Sequence, residues 1–95
     1  MNEEKLKYAI LKRVDDNKKE FDHTTFGISK EQFDDEMRYL QRNRYVGGIL
    51  FADDEAYSYQ HTIYIEPKGE VFLKENSKLA KSYRVAKEIR EWIKL

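Results

Sequence analysis

The most informative segment of the chain is residues 27–40, which read GISKEQFDDEMRYL. Gly27 suits the left-handed backbone conformation that ends a turn. Ser29 is the predicted N-cap of a helix, and Gln32 stands three positions later, where it completes a capping box. The apolar residues of this helix recur at spacings of four and three, which places them on one face: Phe33, Met37 and Leu40. The segment predicts a tight turn followed by a well-defined helix over 29–43.

Weaker patterns on both sides of this helix predict the remaining elements. A single short turn of helix, capped by Asp22, is expected just before Gly27. Two segments rich in β-branched and aromatic residues flank a polar bend and predict a β-hairpin. The other elements are, in chain order, a helix over 3–14 capped by Asn2, hairpin strands over 45–51 and 57–65, a helix over 67–76 and a last helix over 77–95. The predicted order is helix, turn, helix, hairpin, helix, helix.

This order is typical of a winged helix-turn-helix. The expected fold class is α+β, with a two-stranded wing and two C-terminal helices. A chain of 95 residues is long enough for one domain and not for two. We therefore expect a single domain over 1–95, with its core at 3–76 and the C-terminal helix at 77–95. Arg44 is a departure from the pattern, because many winged-helix proteins have Gly at that point.

Short segments along nearly the whole chain resemble one small family. They are KLKYAILK at 5–12, QFDD at 32–35, DD at 53–54, KGE at 68–70, LKEN at 73–76 and KEI at 87–89. These segments are similar to those of the YjcQ proteins of bacteria and their phages. The resemblance implies a winged-helix domain with extra C-terminal helices, and it implies no particular biochemical activity.

The composition argues against catalysis and against metal binding. The chain has no Cys, and neither His23 nor His61 has a nucleophile or a carboxylate at a characteristic motif spacing. A zinc site would need more nitrogen or sulfur ligands than the chain easily supplies. The acidic run at 53–55 lacks the later Glu of a calcium loop, and the glycine pair at 47–48 is not followed by the Lys of a phosphate loop. We expect no enzyme activity, no catalytic residue, no metal and no cofactor.

DNA binding is the function that a winged helix first suggests, and the well-capped helix carries side chains suited to it. Cations contact phosphates and amides contact base edges; the candidates are Lys30, Gln32, Arg38, Gln41 and Arg42. Carboxylates oppose this function, because each one weakens the attraction of phosphate. Residues 30–44 carry as many carboxylates as cations, and the wing tip at 53–55 is acidic. The fold favours DNA as a partner, whereas the charges of the site disfavour it.

Protein interaction is the alternative class of function. The predicted hairpin is rich in tyrosine, and the last helix has a wider apolar stripe than one contact face needs. The candidate interface residues are Tyr57, Tyr59, Val85 and Trp92. The partner is either a different protein or a second copy that pairs through the C-terminal helix. A packing role under a neighbouring helix also stays open for the tyrosines.

The net charge of the chain is zero, but the charges are unevenly distributed. Residues 45–67 carry four carboxylates and no Lys or Arg, whereas residues 68–95 carry eight Lys or Arg against four Glu. No apolar run reaches the length of a transmembrane helix, so we expect a cytoplasmic protein that does not enter membranes.

The predicted function is a non-catalytic winged-helix regulator of bacterial or phage type that associates with DNA. The alternative is a protein–protein interaction adaptor whose degenerate helix-turn-helix does not bind DNA.

Overall fold

Helix caps and tight turns divide the chain into short elements. The computed structural model describes residues 2–95, so the predicted domain start at residue 1 lies outside the described residues. The helices are α1 (Glu3–Asp15), α2 (His23–Phe26), α3 (Lys30–Arg42), α4 (Pro67–Glu75), α5 (Ser77–Val85) and α6 (Ile89–Lys94). The strands are β1 (Val46–Gly47), β2 (Leu50–Ala52), β3 (Glu55–Ser58) and β4 (Tyr64–Ile65). The predicted bounds of α1 and α3 agree with the structure to within about one residue.

Local hydrogen bonds explain why the first helices begin where they do. The Asn2 side chain accepts a hydrogen bond from the Lys5 N–H at 3.1 Å. At α3, the Ser29 hydroxyl accepts from the Gln32 N–H, and the Gln32 side chain accepts from the Ser29 N–H, both at 3.1 Å. These two bonds complete the predicted capping box. Gly27 has a φ of 68° and turns the chain between α2, which is the single helical turn expected there, and α3.

The hydrophobic core is built around α1. This helix is buried on more than one face through Leu6, Tyr8, Ala9, Ile10, Leu11 and Val14. An aromatic cluster next to it joins α2, α3 and the end of the hairpin, with ring centroids 5.6–6.3 Å apart: Phe21, Phe26, Phe33 and Tyr59. Edge-to-face and tilted pairs of this kind add to the stability that burial alone provides. The apolar residues predicted for α3 all reach this core.

The predicted hairpin is a pair of small sheets rather than one continuous ladder. β2 pairs with β3 and β1 pairs with β4, both antiparallel. A turn at 60–62 separates β3 from β4, so the single strand predicted over 57–65 is wrong. Tyr57 is 62% exposed, whereas Tyr59 is 8% exposed. Tyr59 turns inward because its hydroxyl donates a hydrogen bond to the carbonyl of Phe21 at 2.6 Å.

The predicted single helix over 77–95 is also wrong, because the chain forms two helices there. Extended backbone at Ala86 and Glu88 separates α5 from α6. The break lets the Trp92 indole N–H donate to the Ser82 hydroxyl at 2.9 Å. In one straight helix these two residues would lie about 15 Å apart along the axis, so the bond requires the chain to fold back. Trp92 is only 3% exposed and packs against aromatic rings of α1 and α5.

The arrangement of these elements confirms the α+β class. Most of the described residues are helical, and the strands are confined to two small antiparallel sheets. The order of α1, α2 and α3 followed by the strands is the order that the sequence predicts. The more specific winged-helix assignment stays a prediction.

The capping box of α3 gives the first test. Replacing Ser29 with Ala removes the acceptor for an N–H of the first turn, so we expect the free energy of unfolding to fall by about 1 kcal/mol in urea denaturation. Ser77→Ala is the matched control, because α5 begins at Ser77 without a side-chain capping hydrogen bond. Equal losses in the two variants would contradict the capping assignment.

Candidate functional site

A buried carboxylate joins α3 to the hairpin formed by β2 and β3. Asp34 lies on α3 and is almost fully buried. One carboxylate oxygen accepts from the Ala56 N–H on β3 at 3.2 Å, and the other accepts from the Lys30 ammonium at 2.9 Å. Lys30 also lies 3.7 Å from the Glu55 carboxylate. The hairpin is therefore held against α3, the helix that the sequence predicts for DNA binding.

Arg38 makes a second connection between α3 and the hairpin. Its guanidinium donates to the Asp35 carboxylate at 2.9 Å and to the backbone carbonyl of Asp54 at the hairpin tip. The same group lies 5.7 Å from the centre of the Phe51 ring, as in a cation–π contact. Because its N–H groups and its planar face both contact the chain, Arg38 acts as a structural link.

The other predicted DNA contacts differ in their surroundings. Gln32 completes the cap of α3. The Gln41 amide pairs with the backbone of Ile49, donating to its carbonyl at 3.0 Å and accepting from its N–H at 2.7 Å. Arg42 is exposed in the last turn of α3 and has no ion pair within residues 2–95. Lys30 and Arg38 thus meet at the hairpin tip, whereas Gln41 and Arg42 lie together at the other end of α3.

The surface between α3 and the hairpin tip forms an open depression, which we call the acidic groove. Its lining residues are Lys30, Glu31, Asp34, Asp35, Arg38, Asp53, Asp54 and Glu55. Six carboxylates therefore surround two cations, and both cations are already paired with carboxylates. A phosphate backbone that approached this groove would meet a net negative charge.

The four predicted interface residues fall into two groups. Val85 is 79% exposed and Tyr57 is also largely exposed. Tyr59 and Trp92 are buried by the hydrogen bonds and ring contacts described above, so the expectation that they anchor a partner does not hold. Burial raises the pKa of the Tyr59 hydroxyl to about 12. These two aromatic residues stabilise the core, and the other two stay on the surface.

A separate cleft between α1 and α3 contains an unusual carboxylate. Glu36 Oε2 is buried and has no hydrogen-bond partner among the described residues. Burial raises the pKa of the Glu36 carboxyl to about 7; the charge of Lys7 opposes this shift, and Glu3 and Glu4 add to it. Lys7 itself lies 4.9–5.2 Å from the centres of three aromatic rings. Protonation of Glu36 is therefore linked to the stability of the α1–α3 packing.

The described residues form neither a metal cluster nor a membrane-spanning helix. Within residues 2–95, no group of three or more His, Asp or Glu side chains is arranged to hold a metal ion. Over the same part of the chain, none of the helices combines the length and the apolar character needed to cross a bilayer.

Asp34 is the residue of this site that the sequence patterns do not single out. A signal was nevertheless present, because Asp34 stands between Phe33 and Met37, beside the buried stripe of α3. A carboxylate at such a position must find hydrogen-bond donors, since an unpaired buried charge is strongly unfavourable. One of these donors, the Ala56 N–H, lies 22 positions away in the sequence. Local sequence patterns do not reveal a contact at that separation.

The connection through Asp34 gives a second test. Asp34→Ala leaves the Ala56 N–H buried without an acceptor, so we expect the free energy of unfolding to fall by about 1–3 kcal/mol. Asp35→Ala is the matched control, because Asp35 is exposed and its ion pair with Arg38 contributes less than about 1 kcal/mol. Urea denaturation measures both losses, and the amide resonance of Ala56 reports the local change. A loss no larger than that of Asp35→Ala would contradict the assignment.

The Glu36 carboxyl predicts a dependence of stability on pH. The raised pKa stabilises the folded chain fully below about pH 4.5, and this contribution disappears as the pH rises through about 7. Glu36→Gln should therefore raise the free energy of unfolding at pH 8 by about 1–2 kcal/mol, allowing for solvent screening, and change it little at pH 4. Urea denaturation at the two pH values tests this, with exposed Glu20→Gln as the control. An effect of equal size at both pH values would contradict the role of Glu36.

Known proteins similar to this chain share one family name. The family model described as YjcQ protein matches residues 4–92. The Bacillus subtilis (strain 168) protein named Uncharacterized protein YjcQ is 38% identical over 94 residues, which cover 99% of this chain and 100% of that protein. The solution NMR structure of the YjcQ protein from Bacillus subtilis is similar with a TM-score of 0.66 and 35% identity, and the match covers 76% of this chain and 92% of that chain. These findings confirm the resemblance seen in the sequence: the chain belongs to the YjcQ family.

Proposed function

We propose that the chain is a non-catalytic interaction module that binds another protein and does not read DNA with α3. The observation that carries the proposal is the acidic groove, in which the α3 cations are paired within the chain. A recognition helix needs side chains that are available for bases and phosphates. Of the side chains that the sequence predicts for this role, Lys30, Arg38 and Gln41 contact the hairpin or the segment leading to it.

The charge of the groove supports the same proposal. Its lining carries six carboxylates and two cations, a formal charge of −4. DNA affinity comes largely from cations that neutralise phosphates, so the groove opposes DNA docking through α3 and the hairpin tip. The charge instead complements a cationic segment of a protein. An adaptor that regulates by contact with another protein is consistent with these charges, and it requires no catalytic group.

DNA association is the second candidate, and α5 carries the observation that favours it. This helix contains Lys78, Lys81 and Arg84 and no carboxylate, and all three cations are exposed. Their spacing of three residues distributes them along one side of the helix. Such a surface attracts the phosphate backbone without reading bases. Binding of this kind would be weak, sensitive to salt and independent of sequence.

A titration of isotope-labelled protein with a mixed pool of short DNA duplexes at low salt tests the proposal. We expect no amide shifts within 29–44, because the groove repels phosphate. Shifts within 77–85 would support the second candidate, and they should disappear as the salt concentration rises and in a variant with Lys78, Lys81 and Arg84 replaced by Gln. A lysine-rich peptide should instead shift amides of 30–38 and 53–55.

The control for this experiment is Arg42→Ala, which removes an exposed cation of α3 that has no ion pair within residues 2–95. If duplex DNA shifts residues 29–44 and Arg42→Ala weakens that binding, α3 reads DNA and the proposal is wrong. Lys18→Gln removes one exposed cation outside both helices and should change neither result.

A further inference from the structure

We propose that a groove beside the C-terminal end of α3 binds an acidic segment of a partner protein. We call it the arginine groove. Its lining includes Arg42, Arg44, Gly48, Leu50, Tyr64 and Glu66. It shares no lining residue with the acidic groove. The inference rests on the proposed function, because it specifies the chemistry of a protein segment that the interaction module binds.

Two glycines and a tyrosine ring form the floor of the arginine groove. A Cβ atom added at Gly47 would collide with the ring and hydroxyl of Tyr64. A Cβ added at Gly48, where φ is 83°, would collide with the carbonyl of Thr62. The glycines therefore allow the Tyr64 ring to lie directly on the backbone, while the residue stays 52% exposed. Leu50 is also half-exposed, so the groove presents an aromatic and an aliphatic surface side by side.

Arg44 stands in the turn that ends α3, at a position where helices usually have Gly. Its φ is 64°, in the left-handed region that favours glycine over residues with a Cβ. Within residues 2–95, its guanidinium has no ion pair with a carboxylate and no cation–π contact with a ring. The turn itself accounts for this backbone conformation, because the N–H groups of Arg44 and Tyr45 donate to the carbonyls of Gln41 and Leu40 at 3.1 and 2.9 Å. Glycine would suit the turn better, but it would remove a charge from the groove.

The charges of the groove select the ligand. Arg42 and Arg44 contribute two positive charges and Glu66 one negative charge, so the lining is positive overall. A guanidinium pairs with a carboxylate through two parallel hydrogen bonds, which makes arginine well suited to bind Asp or Glu. A neighbouring apolar residue of the ligand would cover Leu50 and Tyr64. The expected ligand is a peptide segment with Asp or Glu next to an aromatic or aliphatic residue.

Single-stranded nucleic acid would use similar features, because its bases stack on aromatic rings and its phosphates attract cations. It fits this groove less well. A strand needs a continuous track of cations over several nucleotides, whereas here two arginines share the surface with a carboxylate. A peptide needs only one or two carboxylates at one end of an apolar contact, which matches the residues that line the groove.

A titration of isotope-labelled full chain with capped peptides tests the inference. The probes are peptides of about ten residues with Glu on both sides of Phe or Leu, the same peptides with Lys in place of Glu, and oligothymidylate. We expect the Glu peptides to shift the amides of 47–50 and 64, because these residues form the floor of the groove. The Lys peptides should not shift these amides.

Arg44→Gly is the decisive variant, because it removes the charge and relieves the strained backbone together. It should weaken binding of the Glu peptides by about tenfold, and it should raise the urea midpoint of unfolding. Lys18→Ala removes one exposed cation elsewhere and should leave the affinity unchanged. A variant that is more stable and binds less tightly separates a loss of ligand contact from a loss of fold.

Each other outcome overturns the inference in a distinguishable way. If oligothymidylate but not the Glu peptides shifts the groove, the ligand is a nucleic acid and the peptide assignment is wrong. If only the Lys peptides bind, and they shift 30–38 and 53–55, the inference is wrong while the proposed function stands. If no peptide binds and duplex DNA shifts 29–44, both the inference and the proposed function are wrong. Unchanged affinity in Arg44→Gly would remove Arg44 from the site.

Discussion

The surface of this chain depends on one buried carboxylate, that of Asp34, which needs hydrogen-bond donors inside the fold. A buried charge is tolerated only where donors reach it from the surrounding elements. For Asp34 the donors are the Lys30 ammonium, one turn earlier on α3, and the Ala56 N–H on β3. Because the second donor belongs to the hairpin backbone, satisfying the charge also sets the distance between α3 and β3. The hairpin tip then comes close enough for Arg38 to donate to the Asp54 carbonyl. The face of α3 has the residue types of a DNA-recognition helix, but in the folded chain it forms one wall of the acidic groove.

The features that could be predicted from the sequence are those determined over a few residues. The cap of α3 needs only Ser29 and Gln32, and its apolar stripe follows from helical spacing. The break between α5 and α6 could not be predicted in the same way. The apolar positions of 77–95 are compatible with one helix, and the chain turns back because Trp92 bonds to Ser82 and packs against α1. Contacts between distant elements overrode a pattern that was locally consistent.

The same distinction applies to the candidate site. The sequence predicts correctly that α3 carries polar side chains and that the tip of the hairpin is acidic, and these charges already disfavour DNA. It does not predict that Lys30 and Arg38 are held by the hairpin, because those contacts join residues far apart in the chain. Nor does it predict that Tyr59 turns inward, since the turn at 60–62 interrupts the strand expected over 57–65. Residue types and local spacing therefore identified the chemistry of the surface, and the tertiary contacts determined which groups are available.

The distribution of charge is a better guide to function here than the order of the elements. A helix-turn-helix order raises the expectation of DNA binding for any chain that has it, but function depends on the groups presented at the site. Within residues 2–95, the two cations at the hairpin tip are paired with carboxylates, while Arg42 and Arg44 at the other end of α3 have no ion pair. Folding accounts for Lys30 and Arg38, because the contacts of each side chain stabilise the position of the hairpin. Folding explains the φ of 64° at Arg44, which belongs to the turn that ends α3, but it does not use the charge of the side chain, and Gly would suit that φ better. A cation without an ion pair within the described residues is available to a ligand outside the chain, and the apolar surface of Leu50 and Tyr64 beside it suits a carboxylate on a protein better than a phosphate on DNA.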